Sequence, residues 1–487
     1  MNLTALLQEI EYLSCTGPDN EEITDITNNS REVTQGSMFV CIKGFRTDGH
    51  KYAADAIARG AKALIVTEEV TFPEVAVIRV KDARLAMAQA SCAFYGHPSR
   101  KLTVIGVTGT NGKTTITNLI KSILDMSDMP AGLIGTNNVV IGGKVIESQR
   151  TTPEAFQLQR WFGQMVDAGL RYCVMEVSSH AIELHRVTGT QFALGVFTNL
   201  THEHLDFHGT MENYRKAKAK LFEMSQAAII NVDDQYGEQI WRETSCKKVV
   251  TYGIDNKKAD YVAENIQLSD KGVIYDVRNG SAVEKVKAML PGRFSVYNTL
   301  AAYAACVQLH LKPEQISRGL IIAKGAKGRA EFLQVPAPFK VMIDYAHTPD
   351  GIYNILTTIR EFSRGKIIVV FGAPGDRDTT KRPVMGELAG KLADYCIVTS
   401  DNPASEAASD IIHAIEEGLK PTGCPYQCIE DREKAICAAL DLAAEGDVVL
   451  LAGKGHETYQ IVRTQKIPFH EEDIVKSYFR THTTNII

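Results

Sequence analysis

Long apolar runs are missing: no window approaches the ~20 consecutive apolar residues that a membrane-spanning helix needs, so no membrane span is expected. A basic excess is missing too. With 53 Lys+Arg against 58 Asp+Glu the net charge is −5, and neither a basic stripe nor nucleic-acid binding is expected. The first residues, MNLTALLQEIEYLSC, lack the basic start and unbroken apolar stretch of a secretory signal, and read as an amphipathic first helix of a cytoplasmic protein. Cysteines in paired spacing are also lacking. The ten present are scattered, and Cys424 and Cys428 have no second pair at zinc-site spacing, so reduced thiols are expected. Repeats and low-complexity segments are absent. What remains is an ordinary globular composition over 487 residues, enough for about three domains at ~150 residues each.

The first hundred residues carry short β-like runs, SMFVCIKG and AKALIVTEE, around a helical stretch HKYAADAIARGA; YGHPSRKL then punctuates the chain, placing a boundary near Ser99. KLTVIGVTG reads as a buried strand and KTTITNLIKSILDM as the helix after it. Between them lie Gly109, Thr110, Asn111, Gly112, Lys113, Thr114 and Thr115. Flexible glycines leave backbone N–H groups free to wrap a phosphate, Lys113 neutralises it, and Thr114 can offer a hydroxyl to magnesium. The spacing is irregular: five residues separate Gly106 from Gly112, where the ordinary phosphate loop has four. Further apolar runs, YCVMEVSS, LGVFTNL, AAIINVD and KKVVTYG, alternate with helical segments, as in a parallel sheet covered on both faces. After LPGRF, the helix VYNTLAAYAACVQLH and the connector AKGAKGRAE, four more strand-like runs end in polar turns: FKVMIDYAHTP, KIIVVFGAPG, DYCIVTSDNP and GDVVLLAGKG. Ligands of open α/β sheets gather at such carboxyl ends.

Glu176 closes an apolar run near the phosphate loop, where a carboxylate can hold magnesium directly or through water. NLTHEHLDFHGT crowds His202, Glu203, His204, Asp206 and His208 into seven residues; an ion site, a three-histidine zinc site and a polar loop are all compatible with it. Lys216, Lys218 and Lys220 in YRKAKAKLF read, on composition alone, as solvated helix lysines.

Taken in order, GTNGKTT, EVSSH, NLTHEHLDFHGT with AKAKLF, YNTLAA, DYAHTPDG, GDRDTTKRP, DNP and GKGHE resemble the motifs of the Mur ligases, most closely the MurE type, across nearly the whole chain. The family's shortened GTxGKT/S loop accounts for the irregular spacing. The resemblance implies an α/β enzyme of three domains: a uridine-nucleotide-binding α/β domain over 1–98, a central P-loop ATPase-like domain with a parallel sheet over 99–330, and a Rossmann-like amino-acid-binding domain over 331–487. It implies uridine-side contacts at Asn28, Ser30, Phe45, Arg46 and Thr47, and muramoyl-dipeptide contacts at Thr151, Thr152, Ser178 and Arg186. Asn298, Arg329, Asp344 and His347 would join the phosphate loop in holding ATP. Thr114, Glu176, His204 and Lys218 would serve magnesium, and Lys113, Glu176, His204 and Lys218 catalysis. Lys218 matches a carbamylated lysine, a modification that turns a cation into an anion able to face the metal.

The implied reaction activates the D-glutamate carboxylate of UDP-N-acetylmuramoyl-L-alanyl-D-glutamate as an acyl phosphate, which a free amino acid then captures as an amide in peptidoglycan precursor synthesis. Partners are that nucleotide and the amino acid, with a monomer expected. Arg377 would hold the amino acid's α-carboxylate, and Asp401, Asn402, Pro403, Ala404, Gly453 and Glu457 line its pocket. Diaminopimelate-adding relatives have arginine after DNP; Ala404 here favours L-lysine, with meso-diaminopimelate the alternative. Glu203 replaces the usual aspartate, Ala373 and Pro374 interrupt the usual CGGDRD, and Leu184 replaces a glutamine. A folylpolyglutamate synthase-like ligase is a rival reading. A P-loop switch is a further one, although Asn256-Lys257-Lys258-Ala259 lacks the aspartate a guanine site needs.

Overall fold

The computed structural model describes residues 1–45, 47–323 and 325–482. The expectation placed on Arg46 therefore lies outside the described residues. Three sheets organise the chain. The first runs in the order Ser14–Thr16, Ala76–Arg79, Ala63–Val66, Ser37–Val40, Asp25–Thr27, and only its first strand is antiparallel to its neighbour.

The second sheet is built on six adjacent strands, in the order Lys248–Gly253, Ser225–Asn231, Phe192–Phe197, Thr103–Thr108, Tyr172–Glu176, Ala131–Ile134, all parallel. Their central residues are buried on both faces, which is why the sequence shows continuous apolar runs rather than alternation. Further strands extend both edges, joining antiparallel beside Ala131–Ile134 and parallel beside Lys248–Gly253, where an antiparallel ribbon then begins. Residues 138–147 form one hairpin, and the long strands Tyr261–Ser269, Gly272–Asn279 and Ala282–Ala288 form the other edge. These additions have no apolar run to announce them, because one face of each is exposed and the pattern alternates. The third sheet, Glu331–Leu333, Lys340–Asp344, Val448–Ala452, Ile367–Phe371, Tyr395–Val398, Tyr426–Cys428, is parallel except at its first strand.

Helix Lys113–Asp125 buries Ile116, Leu119, Ile120, Ile123 and Leu124, the i, i+3, i+4, i+7, i+8 stripe of an amphipathic helix, against the central sheet and helix Arg293–Gln308. At about 2 kcal/mol per buried aliphatic side chain this stripe anchors the helix whose first residue is Lys113. The N-terminal helix is short, Leu3–Leu7, capped by the Asn2 side chain.

Candidate active site

The strand Thr103–Thr108 delivers the phosphate loop into a cleft of about 1930 Å³ between the central and third sheets. Two glycines make the loop possible. A Cβ on Gly109, at φ +146°, would lie 1.8 Å from Thr198 Oγ1, and one on Gly112, at φ +88°, 2.5 Å from Asn298 Oδ1. The loop is tied down by the end of the neighbouring strand Phe192–Phe197: Thr110 N–H donates to the Asn199 carbonyl (2.8 Å), Asn111 N–H to Asn199 Oδ1 (2.9 Å), and Thr198 Oγ1 to the Asn111 carbonyl (2.6 Å). Lys113 Nζ folds over its own loop onto the carbonyls of Gly109 (2.9 Å) and Thr110 (2.8 Å), and burial lowers its pKa against the pull of Glu176 and Glu203. Thr115 also lines the cleft.

Register brings Glu176 to this loop, since strand Tyr172–Glu176 pairs with Thr103–Thr108 so that Glu176 faces Val107. Its carboxylate accepts from Thr114 Oγ1 (3.0 Å), Thr136 N–H (2.7 Å) and Thr136 Oγ1 (3.0 Å). Thr136 was not foreseen; its one sequence signal is its place just past the buried strand Ala131–Ile134. Thr136 Oγ1 also lies 3.1 Å from Thr151 Oγ1, linking the loop to the next group. Thr152 Oγ1 lies 2.9 Å from the Glu176 carbonyl and accepts from Ser178 N–H (3.1 Å), and Arg186 donates to the Thr152 carbonyl (3.3 Å) while pairing with Glu154 (3.0 Å). Thr151, Thr152, Ser178 and Arg186 are thus brought together, and of the four Thr151 lines the cleft.

The three lysines of helix Met211–Glu223 part company. Lys216 and Lys220 are solvated beside Glu212 and Glu183, whereas Lys218 is 1% exposed, because alternate positions on a helix point about 200° apart. Lys218 Nζ donates to the Gly109 carbonyl (2.9 Å) and lies 4.6 Å from the centre of the Tyr214 ring. Burial, then the charge of Lys113, push its pKa well below the ordinary lysine value, with Glu203 opposing. One carbonyl contact supplies about 1–3 kcal/mol and cannot offset the several kcal/mol of burying an ammonium, so the neutral amine is the form that fits.

His204 sits in the left-handed region (φ +57°) ahead of the turn Leu205–His208, with Nε2 3.6 Å from Glu203. Burial would raise the Glu203 pKa, but neighbouring basic groups, His204 first and then His347 and Lys113, hold it below the usual range. The crowded histidines do not converge as a zinc site. Among the described residues the one group with metal-like spacing is Asp48, His50 and Glu68, and there both His50 nitrogens are engaged, by Asp48 (2.7 Å) and Thr67 N–H (3.1 Å). His180, His204 and His208 instead pack as rings, and burial pushes each down to about 4. Below an ordinary value of 6.5 the unfolded chain takes up protons that these folded rings refuse, so stability is lost as pH falls from about 6.5 towards 4. Thermal melts across that window should show a steep acid-side fall, made shallower by His208→Asn; an unchanged slope would contradict this origin.

Asn298, on helix Arg293–Gln308, stands against Gly112 of the phosphate loop, and Arg329, Asp344 and His347 line the same cleft from the third-sheet side. Asp344 accepts from Ala330 N–H (2.7 Å) and Ala346 N–H (2.8 Å); burial raises its pKa despite Arg329. The Arg329 guanidinium lies 4.5 Å from the centre of the Tyr345 ring, and its buried Nε has no partner within the protein. His347 Nδ1 meets the Tyr345 carbonyl at 2.7 Å, leaving Nε2 for a ligand. A glycine cradle, an unmatched guanidinium nitrogen and the hard oxygens of Thr114 and Glu176 fit a magnesium nucleotide.

The strand ends of the third sheet supply the remaining wall. Arg377, Asp401, Asn402, Ala404, Gly453 and Glu457 line it, with Pro374; Pro403 and Ala373 are buried behind. A Cβ on Gly453 would meet Asp401 Oδ2 at 2.7 Å. Asn28, Ser30, Phe45 and Thr47 stand apart from this cleft on the first domain, although the Phe45 ring reaches to 6.0 Å from Phe207. Lys454, unforeseen, is wholly buried among Asp401, Asn402 and Glu457.

A phosphate loop facing a second Rossmann-like sheet across one cleft is the build of a nucleotide-driven ligase. The Mur ligase middle domain profile matches residues 107–306, the Mur ligase glutamate ligase domain residues 328–455, and the Mur ligase family catalytic domain residues 22–95. The UDP-N-acetylmuramoyl-L-alanyl-D-glutamate--2,6-diaminopimelate ligase of Clostridioides difficile is 46% identical, with 97% of this chain and 98% of that protein covered. The same-named ligase of Caldanaerobacter subterraneus is 48% identical over 98% of each. A solved ligase of that name superposes with a TM-score of 0.70 at 29% identity, covering 99% of each chain. A folylpolyglutamate synthase of Mycobacterium tuberculosis shares the fold, with a TM-score of 0.63 at 17% identity over 75% of this chain and 91% of that one. The chain belongs to the Mur ligase family and is an ATP-dependent ligase. Among the described residues no helix is long and apolar enough to cross a membrane.

Proposed function

We propose that this ligase adds a diamino acid, L-lysine by preference, to UDP-N-acetylmuramoyl-L-alanyl-D-glutamate, working as a cytoplasmic monomer with domains over 1–98, 99–330 and 331–487. The observation that carries it is the single cleft that joins the phosphate loop to the acidic wall of Asp401 and Glu457, with the small Ala404 beside them. The γ-carboxylate oxygen of D-glutamate attacks the γ-phosphorus of ATP and ADP leaves; the amine of the amino acid then attacks the acyl carbon and phosphate leaves, its proton passing to solvent or phosphate. Lys113 draws charge from the transferring phosphoryl group. Thr114 and Glu176, with His204 and a carbamylated Lys218 nearby, would hold magnesium, which supplies further charge neutralisation. The neutral, buried Lys218 amine is the form that carbon dioxide can capture. Asn298, Arg329, Asp344 and His347 hold the nucleotide. Thr151, Thr152, Ser178 and Arg186 orient the peptide, and Asn28, Ser30, Phe45 and Thr47 take the uridine end. Arg377 grips the α-carboxylate.

A second reading, meso-diaminopimelate, is favoured by the names of the relatives and by Arg463, which lines the cleft and is tied beside Ala404 by its backbone N–H, which donates to the Ala404 carbonyl at 2.7 Å. Phosphate release with ATP, magnesium and the UDP-muramoyl-dipeptide, compared among L-lysine, meso-diaminopimelate and L-ornithine, decides between them. L-Lysine should win by about tenfold or more, the worth of one matched charged contact. A clear win for diaminopimelate overturns the argument from Ala404.

A further inference from the structure

Lys454 is a fully buried ammonium that the proposed reaction leaves unused. Its Nζ donates to Asn402 Oδ1 (2.8 Å) and Glu457 Oε2 (2.9 Å) and lies 3.4 Å from Asp401 Oδ1. These three residues come from two loops whose strands are not neighbours. Asp401 and Asn402 follow Tyr395–Val398, Glu457 follows Val448–Ala452, and strand Ile367–Phe371 lies between. Two strand spacings, about 9.6 Å, separate the parent strands, a gap that a four-carbon side chain can help bridge.

We propose that Lys454 is the positioning residue that sets the charge and geometry of the pocket for the incoming amine; this rests on the amino-acid role given above to Asp401, Asn402 and Glu457. Without a cation between them, two carboxylates in a buried wall repel, and one of them protonates or turns away. With Lys454 in place the group keeps a net charge of about −1, still complementary to an ammonium substrate. The lysine also orients the Asn402 amide. Asn402 Oδ1 accepts from Lys454 and from Ile461 N–H (2.9 Å), so Nδ2 must donate, and it does so to Glu457 Oε2 (2.8 Å). Glu457, which lines the cleft, is thereby held with Oε1 beside the Tyr345 hydroxyl (3.3 Å).

The test is steady-state kinetics of Lys454→Met, an apolar replacement of similar length, with whichever of L-lysine, meso-diaminopimelate or L-ornithine the unaltered enzyme uses best. The KM for the amino acid should rise by about tenfold or more, as expected for loss of a charged hydrogen-bond hub, while KM values for ATP and the UDP-muramoyl-dipeptide stay within about twofold. In a Glu457→Gln background the same substitution should cost far less, because the two residues act as a unit. Should Lys454→Met fail to fold, Lys454→Gln, which keeps a donor without the charge, should show the same selective rise in smaller measure. Equal rises in all three KM values, unchanged kinetics, or full additivity with Glu457→Gln would overturn the inference. If the unaltered enzyme releases no phosphate with any of the three amino acids, the functional reading fails instead.

Discussion

Lys218→Ala should lower turnover by about a hundredfold to a thousandfold, the scale of losing one preorganised charge-stabilising group, and added formate or acetate should restore part of it. The reason lies in the two forms the side chain could take. An ammonium so close to Lys113 would add a second buried positive charge beside the loop, and burial together with Lys113 already presses its pKa far down. A carbamate made from the neutral amine places a negative charge there instead, where it can face a divalent cation. Truncation to alanine leaves a cavity one lysine side chain long, into which a small carboxylate fits and supplies the missing anion. The alternative is that Lys218 serves as a plain amine on the Gly109 carbonyl, at 2.9 Å. In that case methylammonium rescues and carboxylates do not. Rescue by the amine alone, or unchanged turnover, would remove the carbamate from the site.

Lys113→Ala should be costlier, lowering kcat/KM for ATP by about a thousandfold. Its Nζ rests on the carbonyls of Gly109 and Thr110, within the loop whose N–H groups would wrap the phosphates. A nucleotide drawn into the loop offers a stronger acceptor than those carbonyls, since hydrogen bonds to charged oxygens are about twice as strong as neutral ones. The lysine is therefore poised to move a short way from backbone to phosphoryl oxygen. Nucleotide binding measured by calorimetry should weaken less than turnover falls, because the contact strengthens as charge spreads onto the transferring group. Equal losses in binding and turnover would instead make Lys113 a simple anchor.

The elements legible in the sequence are those with a dense local signal. Buried strands such as Thr103–Thr108 and Ile367–Phe371 are apolar throughout, and the phosphate loop announces itself by two glycines and a lysine before an amphipathic helix. The edge strands over 261–288 were silent because their exposed face breaks the apolar run. Thr136 and Lys454 were silent for another reason: a threonine after a strand and a lysine in a glycine turn have many uses, and only burial beside Glu176, or among Asp401, Asn402 and Glu457, singles them out.

By itself the sequence determined the three α/β units, the phosphate loop and the order of the ligase motifs, because backbone freedom, apolar periodicity and charge spacing are local properties. The motif resemblance singled out Lys218 and Glu176, but that Lys218 is the buried lysine of the three, that Glu176 meets Thr114 Oγ1, and that Lys454 binds the amino-acid wall together emerge only in the tertiary structure. Those outcomes depend on strand register and on desolvation, and both arise only when distant segments exclude water from one another.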